Sequence, residues 1–180
     1  MRITGGKFKG RRFHPPIRKW PTRPTTDFAR EALYNIMQNR ISFEQIRLLD
    51  LFGGTGSHSF ECISRGCQDV TYVDSYKPCT IFVRQFAREL GIEAYLKIIF
   101  NDVRMFLKNH SGLFDFVFAG PPYSLAWIDQ LPEMILHQNR LSQSGWLVIE
   151  HNPDHNFEST PYFYEVRKYG QTRFSFFLYK

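Results

Sequence analysis

Leu48-Leu49-Asp50-Leu51-Phe52-Gly53-Gly54-Thr55-Gly56-Ser57 is the stretch whose reading decides the fold. The apolar run Ile46 to Leu51 ends in three clustered glycines, and a helical pattern follows from Ser59 to Arg65, so the segment reads as strand, tight turn and helix start. Glycine reaches positive φ without steric cost and lets a ligand lie against bare backbone, so a nucleotide-like group is expected at this turn. Eighteen residues past Gly56, a second apolar run (Val70-Thr71-Tyr72-Val73) ends in Asp74. In an open parallel sheet that carboxylate sits at the neighbouring strand's carboxyl end, where it can accept hydrogen bonds from ribose hydroxyls.

Working outward, short β-rich runs alternate with helical patterns. A leading helix starts after Thr26 or Asp27, either of which can cap it, and runs to about Asn39 on Phe28, Ala32, Leu33, Ile36 and Met37. Strands are expected at 46–51, 70–74, 95–100, 114–119 and 145–150, with helices at 58–65, 78–90, 103–109 and 126–138. Two further strands, Tyr162 to Lys168 and Arg173 to Tyr179, meet at Tyr169-Gly170-Gln171-Thr172 with no helix between them. The pattern predicts a doubly wound α/β sheet with right-handed crossovers, closed by an antiparallel hairpin.

The 180 residues fit one domain, 27–180, preceded by a basic arm, 1–26. That arm holds eight basic side chains (Arg2, Lys7, Lys9, Arg11, Arg12, Arg18, Lys19, Arg23) and no acidic one, so it carries +8 while the rest of the chain carries −2. A charge excess confined to one segment is an electrostatic footprint for a polyanion such as nucleic acid. The arm's glycines suggest a small hairpin or extended segment, and some of its aromatics are expected to pack it onto the body. No apolar run is long enough for a membrane span and no hydrophobic signal segment follows the basic start, which points to a cytoplasmic protein and no membrane partner. Cys62, Cys67 and Cys79 lack metal-ligand spacing, so no metal site is expected and the thiols fit a reducing compartment.

The details of the glycine turn separate three chemistries. A dinucleotide fingerprint wants a third glycine where this chain has Ser59, and a phosphate loop wants a lysine that is absent. What remains is a nucleoside ligand without a pyrophosphate, of which S-adenosylmethionine (SAM) is the common one. Asp102 follows the third strand and can either cap helix 103–109 or meet an adenine amine. The fourth strand runs into Gly120-Pro121-Pro122-Tyr123, where prolines fix backbone carbonyls beside an aromatic face. That suits a flat base whose exocyclic amine must be oriented toward a sulfonium methyl.

At this point the chain resembles the RsmD-like SAM-dependent methyltransferases that modify guanine N2 in small-subunit (16S) ribosomal RNA. The resemblance rests on Arg2-Ile3-Thr4-Gly5-Gly6 with Lys9-Gly10-Arg11, on Thr22-Arg23-Pro24-Thr25-Thr26-Asp27 with Arg30-Glu31-Ala32-Leu33, and on Leu49 to Gly56. Ser64-Arg65-Gly66, Phe114-Asp115, Pro121-Pro122-Tyr123, Glu150-His151 and Tyr169 to Thr172 extend it over nearly the whole chain. It implies a Rossmann-like, seven-stranded, mostly parallel sheet with a reversed C-terminal hairpin. It also implies that Asp50, Phe52, Gly53, Gly54, Thr55 and Gly56 frame SAM, with S-adenosylhomocysteine as product. Asp74 would hold the ribose and Asp102 would meet the adenine. Gly120, Pro121, Pro122 and Tyr123 would present the base, and Lys7, Lys9, Arg11, Arg12, Arg23 and Thr25 would contact ribosomal RNA or a small-subunit particle. A monomer is the default expectation, independent of the resemblance. The family's motif has Asp or Asn directly before Pro-Pro-Tyr, and this chain has Gly120, which removes a side-chain acceptor and raises the alternative of a catalytically impaired homologue that binds SAM and RNA. Asp74 stands where the family usually has Glu, which shortens the reach and keeps the charge.

Overall fold

The computed structural model describes residues 1–20, 24–137 and 140–180; the expected RNA contact Arg23 lies outside them. Five helices and seven strands follow one another among those residues. They are α1 (Asp27–Met37), β1 (Arg47–Leu51), α2 (Ser57–Ser64), β2 (Asp69–Asp74), α3 (Lys77–Leu90), β3 (Leu96–Phe100), α4 (Val103–Asn109), β4 (Phe114–Ala119), α5 (Leu131–His137), β5 (Leu141–His151), β6 (Phe163–Tyr169) and β7 (Thr172–Leu178). The strands form one sheet in the order β3-β2-β1-β4-β5-β7-β6, parallel from β3 to β5, with β7 antiparallel to both β5 and β6. The chain winds outward from β1 in one direction and from β4 in the other, so the switch point lies between those two strands.

Period-two alternation divides the core. Leu48, Phe116, Phe118, Val148, Phe174 and Phe176 point to the face covered by α1, α2 and α3. Leu49, Leu51, Val117, Leu147, Ile149 and Phe177 point to the face covered by α4 and α5. Thr26 caps α1 by accepting from the Ala29 N–H at 3.2 Å.

Two elements differ from the sequence expectation. β5 begins at Leu141, four residues early, because buried Leu141 already pairs with Phe114; Ser144 at φ 61 absorbs the register shift before the regular ladder from Trp146. The helix expected over 126–138 divides into a 3-10 turn, Ile128–Gln130, and the α-helical turns of α5.

The arm lies on the body. Ile3 and Phe13 are 1% and 2% exposed, and each such burial is worth about 2 kcal/mol. An antiparallel bridge joins Arg2 to Arg12, and the N–H of Lys7 donates to the Ser64 carbonyl at 2.7 Å, closing the C-terminal end of α2. Gly6, at φ +73, passes so close to that carbonyl that a Cβ would run into it.

Candidate functional site

A cavity of about 240 Å³ opens at the carboxyl ends of β1, β2, β4 and β5. Sequence reasoning named ten of its wall residues: Asp50, Phe52, Gly53, Gly54, Thr55, Asp74 and the run Gly120, Pro121, Pro122, Tyr123. Thr25, expected as an RNA contact, is also in the wall.

The glycine turn is held from three sides. The Gly53 N–H donates to the Val73 carbonyl at 3.1 Å, the Gly54 N–H donates to Asp74 Oδ2 at 2.8 Å, and the Tyr72 hydroxyl donates to the Gly54 carbonyl at 2.7 Å. Phe52, directly before these bonded glycines, takes the left-handed region at φ 56, a conformation that costs a bulky residue about 1 kcal/mol or more. Asp74 accepts a second backbone N–H, from Tyr76 at 2.7 Å, so its carboxylate ties the β1 and β2 loops together. Burial raises its pKa, and the Tyr76 and Gly54 N–H groups oppose that rise.

Asp50 stands at the bottom of the turn, 1% exposed. Its Oδ2 accepts from the Ser59 N–H at 3.1 Å and the Ser59 hydroxyl at 2.6 Å, which gives Ser59 a role that a glycine there could not fill. Its Oδ1 is buried and has no hydrogen-bond partner among the described residues. Burial pushes the Asp50 carboxyl up to about 7, against the two Ser59 bonds and with some help from the Asp74 charge.

Gly56 and Asp102 are not among the wall residues. Gly56 takes φ +74 at the start of α2, and a Cβ there would stand 2.8 Å from Val83 Cγ2, so glycine is needed for the turn and for close packing of α3. Asp102 is exposed and caps α4, accepting from the Met105 N–H at 3.1 Å. Of its two readings from sequence, the structure shows the cap.

The opposite wall contains a chain of polar groups that sequence reasoning did not assemble. The Thr25 hydroxyl donates to Glu150 Oε2, and the Thr25 oxygen lies 2.9 Å from His58 Nε2. Burial, followed by the charge of Arg30, holds the His58 pKa well below its ordinary value, so the ring is neutral. The network assigns its proton to Nε2, donating to Thr25. Nδ1 of His58 is buried without a partner among the described residues, and the ring stacks on Phe118 with centroids 3.6 Å apart. The Tyr123 hydroxyl donates to Glu150 Oε1 at 3.1 Å and lies 3.4 Å from Thr172 Oγ1. Glu150 is the last but one residue of β5, at the carboxyl edge of the sheet, and that position was the available signal for it.

Behind this wall Arg30 is fully buried, with its guanidinium on the carbonyls of Thr25 and Arg2 and on Asp27 and Glu61. The expected RNA contacts Lys7, Lys9, Arg11 and Arg12 are all exposed. Lys7 lies at the far end of α2, roughly 10 Å along that helix from the cavity residue Ser57. Arg12 bridges to Arg2, whose backbone N–H approaches Asp27 at the start of α1. No group of metal-ligating side chains is found among the described residues. No helix there is long and apolar enough to cross a membrane.

Comparisons with known proteins agree with this architecture. The chain is 28% identical over 161 residues to the ribosomal RNA small subunit methyltransferase D of Buchnera aphidicola, covering 89% of this chain and 81% of the relative. Its fold superposes on the putative methyltransferase yhhF of Escherichia coli with a TM-score of 0.86 at 18% identity, covering 100% of this chain and 98% of that one. It also superposes on 87% of this chain and 44% of the 16S rRNA N2 G1207 methyltransferase RsmC of T. thermophilus, solved with AdoMet and guanosine, at TM-score 0.69 and 18% identity. The family model described as conserved hypothetical protein 95 matches residues 1–178, and the chain therefore belongs to that RsmD-like family.

Proposed function

We propose that this protein transfers a methyl group from SAM to the exocyclic N2 of a guanine in small-subunit (16S) ribosomal RNA. The observation that carries the reading is the convergence of two buried carboxylates, Asp50 and Asp74, and the Pro121-Pro122-Tyr123 run on one cavity. The residues fit the cofactor: Asp50 Oδ1 is a buried acceptor awaiting a donor or a cation, and Asp74 stands where ribose hydroxyls would donate. When bound, SAM supplies an electrophilic methyl on a cationic sulfonium. Gly53, where a Cβ would stand 2.3 Å from the Tyr72 ring, keeps the turn tight against β2, and Gly54, at φ 51, would let the cofactor approach bare backbone, while Pro121 and Pro122 hold carbonyls for the amine of the base. The exposed Lys7, Lys9, Arg11 and Arg12 would supply salt-dependent attraction for RNA phosphates, Thr25 would meet the RNA at the cavity wall, and Arg23 would add a further contact. A relative named as a small-subunit ribosomal RNA methyltransferase and a fold neighbour holding guanosine support the substrate class.

Gly120 favours a second reading, a homologue that binds SAM and RNA without turnover, because no side chain projects from that position toward the base. One experiment separates the two. Labelled SAM is incubated with small-subunit RNA, and with its protein-bound particle, both lacking the modification, beside the variant Gly120→Asp. N2-methylguanosine from the wild type supports the enzyme, product from the variant alone supports the silent homologue, and product from neither means that the substrate or the assignment is wrong.

A further inference from the structure

Phe28 is the most exposed large apolar side chain among the described residues, at 72%. Helical spacing groups it with Ala32, Leu33, Ile36 and Met37, yet α1 buries Ala29, Leu33 and Met37 and turns Phe28 to solvent in its first turn. The ring of Tyr169, at the end of β6, meets it with centroids 6.0 Å apart and planes at 80°. A perpendicular neighbour covers at most one face of a ring, so the other face of Phe28 is open. Tyr169 is backed by Phe174 at 5.8 Å, which fixes the pair to the sheet.

The pair stands at the rim of the cavity. Thr25, in the cavity wall, is three residues before Phe28, a span of at most about 11 Å. From the other side, Tyr169 pairs with Thr172 across the turn between β6 and β7, and Thr172 Oγ1 lies 3.4 Å from the hydroxyl of the wall residue Tyr123. The arm makes the neighbourhood cationic: Arg2, Arg12 and His14 line a shallow hollow with Met1 and with Asp27, the residue directly before Phe28. The Asp27 carboxylate is engaged by buried Arg30 at 2.8 Å, so it does not cancel the arm's charge. Glu31 lies one turn further along α1, which leaves the arm side of Phe28 as the side open to phosphates.

We propose that Phe28, braced by Tyr169, is a stacking platform for an unpaired RNA base next to the one seated in the cavity. This rests on the reading above, in which the cavity takes a base of RNA. Chemistry on an exocyclic amine requires the base to leave its stack, and that uncovers a face of the neighbouring base. A flat aromatic ring at the rim replaces the lost contact, whichever base the neighbour is. Arg2 and Arg12 hold the phosphates beside it. Phe28 is thus a positioning residue that fixes where the strand enters and touches none of the reacting atoms.

The test measures binding of the full protein to a single-stranded oligonucleotide of small-subunit RNA sequence and to the same sequence as a duplex, and follows methyl transfer to whole small-subunit RNA. Phe28→Ala should weaken single-strand binding about tenfold, Phe28→Trp should match or exceed the wild type, and Phe28→Leu, apolar without a flat π face, should stay near the Ala variant. The duplex, whose bases are already stacked, should lose less than about twofold. The salt dependence of binding should be equal in wild type and Phe28→Ala, because no charge is removed, whereas Arg12→Ala should flatten it. In turnover Phe28→Ala should raise KM for RNA about tenfold and change kcat less than about threefold. Single-strand binding by Phe28→Ala within about twofold of wild type, a Leu variant equal to wild type, or an equal loss on the duplex overturns the platform. So does a loss confined to the protein-bound particle, which assigns the patch to a ribosomal protein. The expected binding pattern without N2-methylguanosine from the wild type keeps the platform and counts against turnover; methylation and binding untouched by Phe28→Ala do the reverse.

Discussion

Arg30 and Glu61 meet at 3.5 Å with neither side chain exposed to solvent. Glu61 also accepts from the N–H and hydroxyl of Thr4, at 2.8 and 2.7 Å, and from Arg65 at 3.1 Å. The pair thus joins the arm, α1 and α2, and through the Thr25 carbonyl it sets one wall of the cavity. Removing one partner of a buried pair leaves an uncompensated charge, at a cost of about 3–5 kcal/mol. Glu61→Gln should lower the unfolding free energy by that order in a urea titration, and the arm should become the first site of limited proteolysis. A loss below about 1 kcal/mol would show that the pair only relieves its own burial.

Gly6 makes a separate test of the same attachment. Its φ of +73 and the approach of Ser64's carbonyl leave no place for a Cβ. Gly6→Ala should cost at least about 1–2 kcal/mol by chemical unfolding. Gly10→Ala, also at positive φ but with open space around it, should cost less. Equal losses would mean that backbone conformation alone decides.

Asp50 sets a pH dependence of unusual sign for a carboxylate. Its folded pKa of about 7 lies above the 3.8 of the unfolded chain, so between those values the native state holds a proton that the unfolded state has released. Its contribution to stability therefore declines as pH rises through that window, by on the order of a few kcal/mol in total. Without ligand, Asp50→Asn should melt near the wild-type temperature at about pH 4 and increasingly above it as pH rises to 8. SAM, a cation, should raise the wild-type melting temperature more at pH 7.5 than at pH 6, and this difference should shrink in the variant. A wild type that outlasts the variant as pH rises would contradict the assignment.

His151 acts in the opposite direction. It is buried at the end of β5, with Nδ1 donating to the Asn152 carbonyl and Nε2 accepting from the Ser175 hydroxyl, both at 2.8 Å. Burial pulls its pKa from 6.5 to about 4 against the Asn152 bond, while His155 and Arg173 lower it further and Asp129 raises it. Below pH 6.5 the unfolded chain binds a proton that the native state refuses, so stability is lost as pH falls toward 4, by up to about 3 kcal/mol. His151→Asn should have a shallower decline than the wild type between pH 6.5 and 4.5 in isothermal unfolding. Because Asp50 and His151 oppose each other over that range, the wild-type profile should be flatter than that of Asp50→Asn.

The sheet was legible because its evidence is local. Alternating Leu48, Leu49, Phe116 and Val117 mark the two faces, and the turn after β1 announces itself by its glycines. Asp50 and Asp74 follow from strand ends alone. The start of β5 was missed because Ser142 to Gly145 has the composition of a loop, and only pairing with Phe114 makes it a strand. The links from Thr25 to His58 and from Thr25 to Glu150 span 33 and 125 residues, and no pattern within a window of the chain encodes them. Asp102 shows the reverse limit: its cap on α4 is a local contact seen in the structure, whereas a contact with an adenine amine is tested only with the ligand bound.

His58, Thr25 and Glu150 belong to α2, to the segment before α1 and to β5. A cavity walled by such distant segments forms only after the longest loops have closed, which is the slowest part of assembling a sheet of this kind. No fragment of the chain can present the complete wall. Loosening the arm at Arg30 would release Thr25 while the strands stay paired, so the capacity to seat a base would disappear before the core melts, and turnover would serve as a gauge of how many molecules are fully closed.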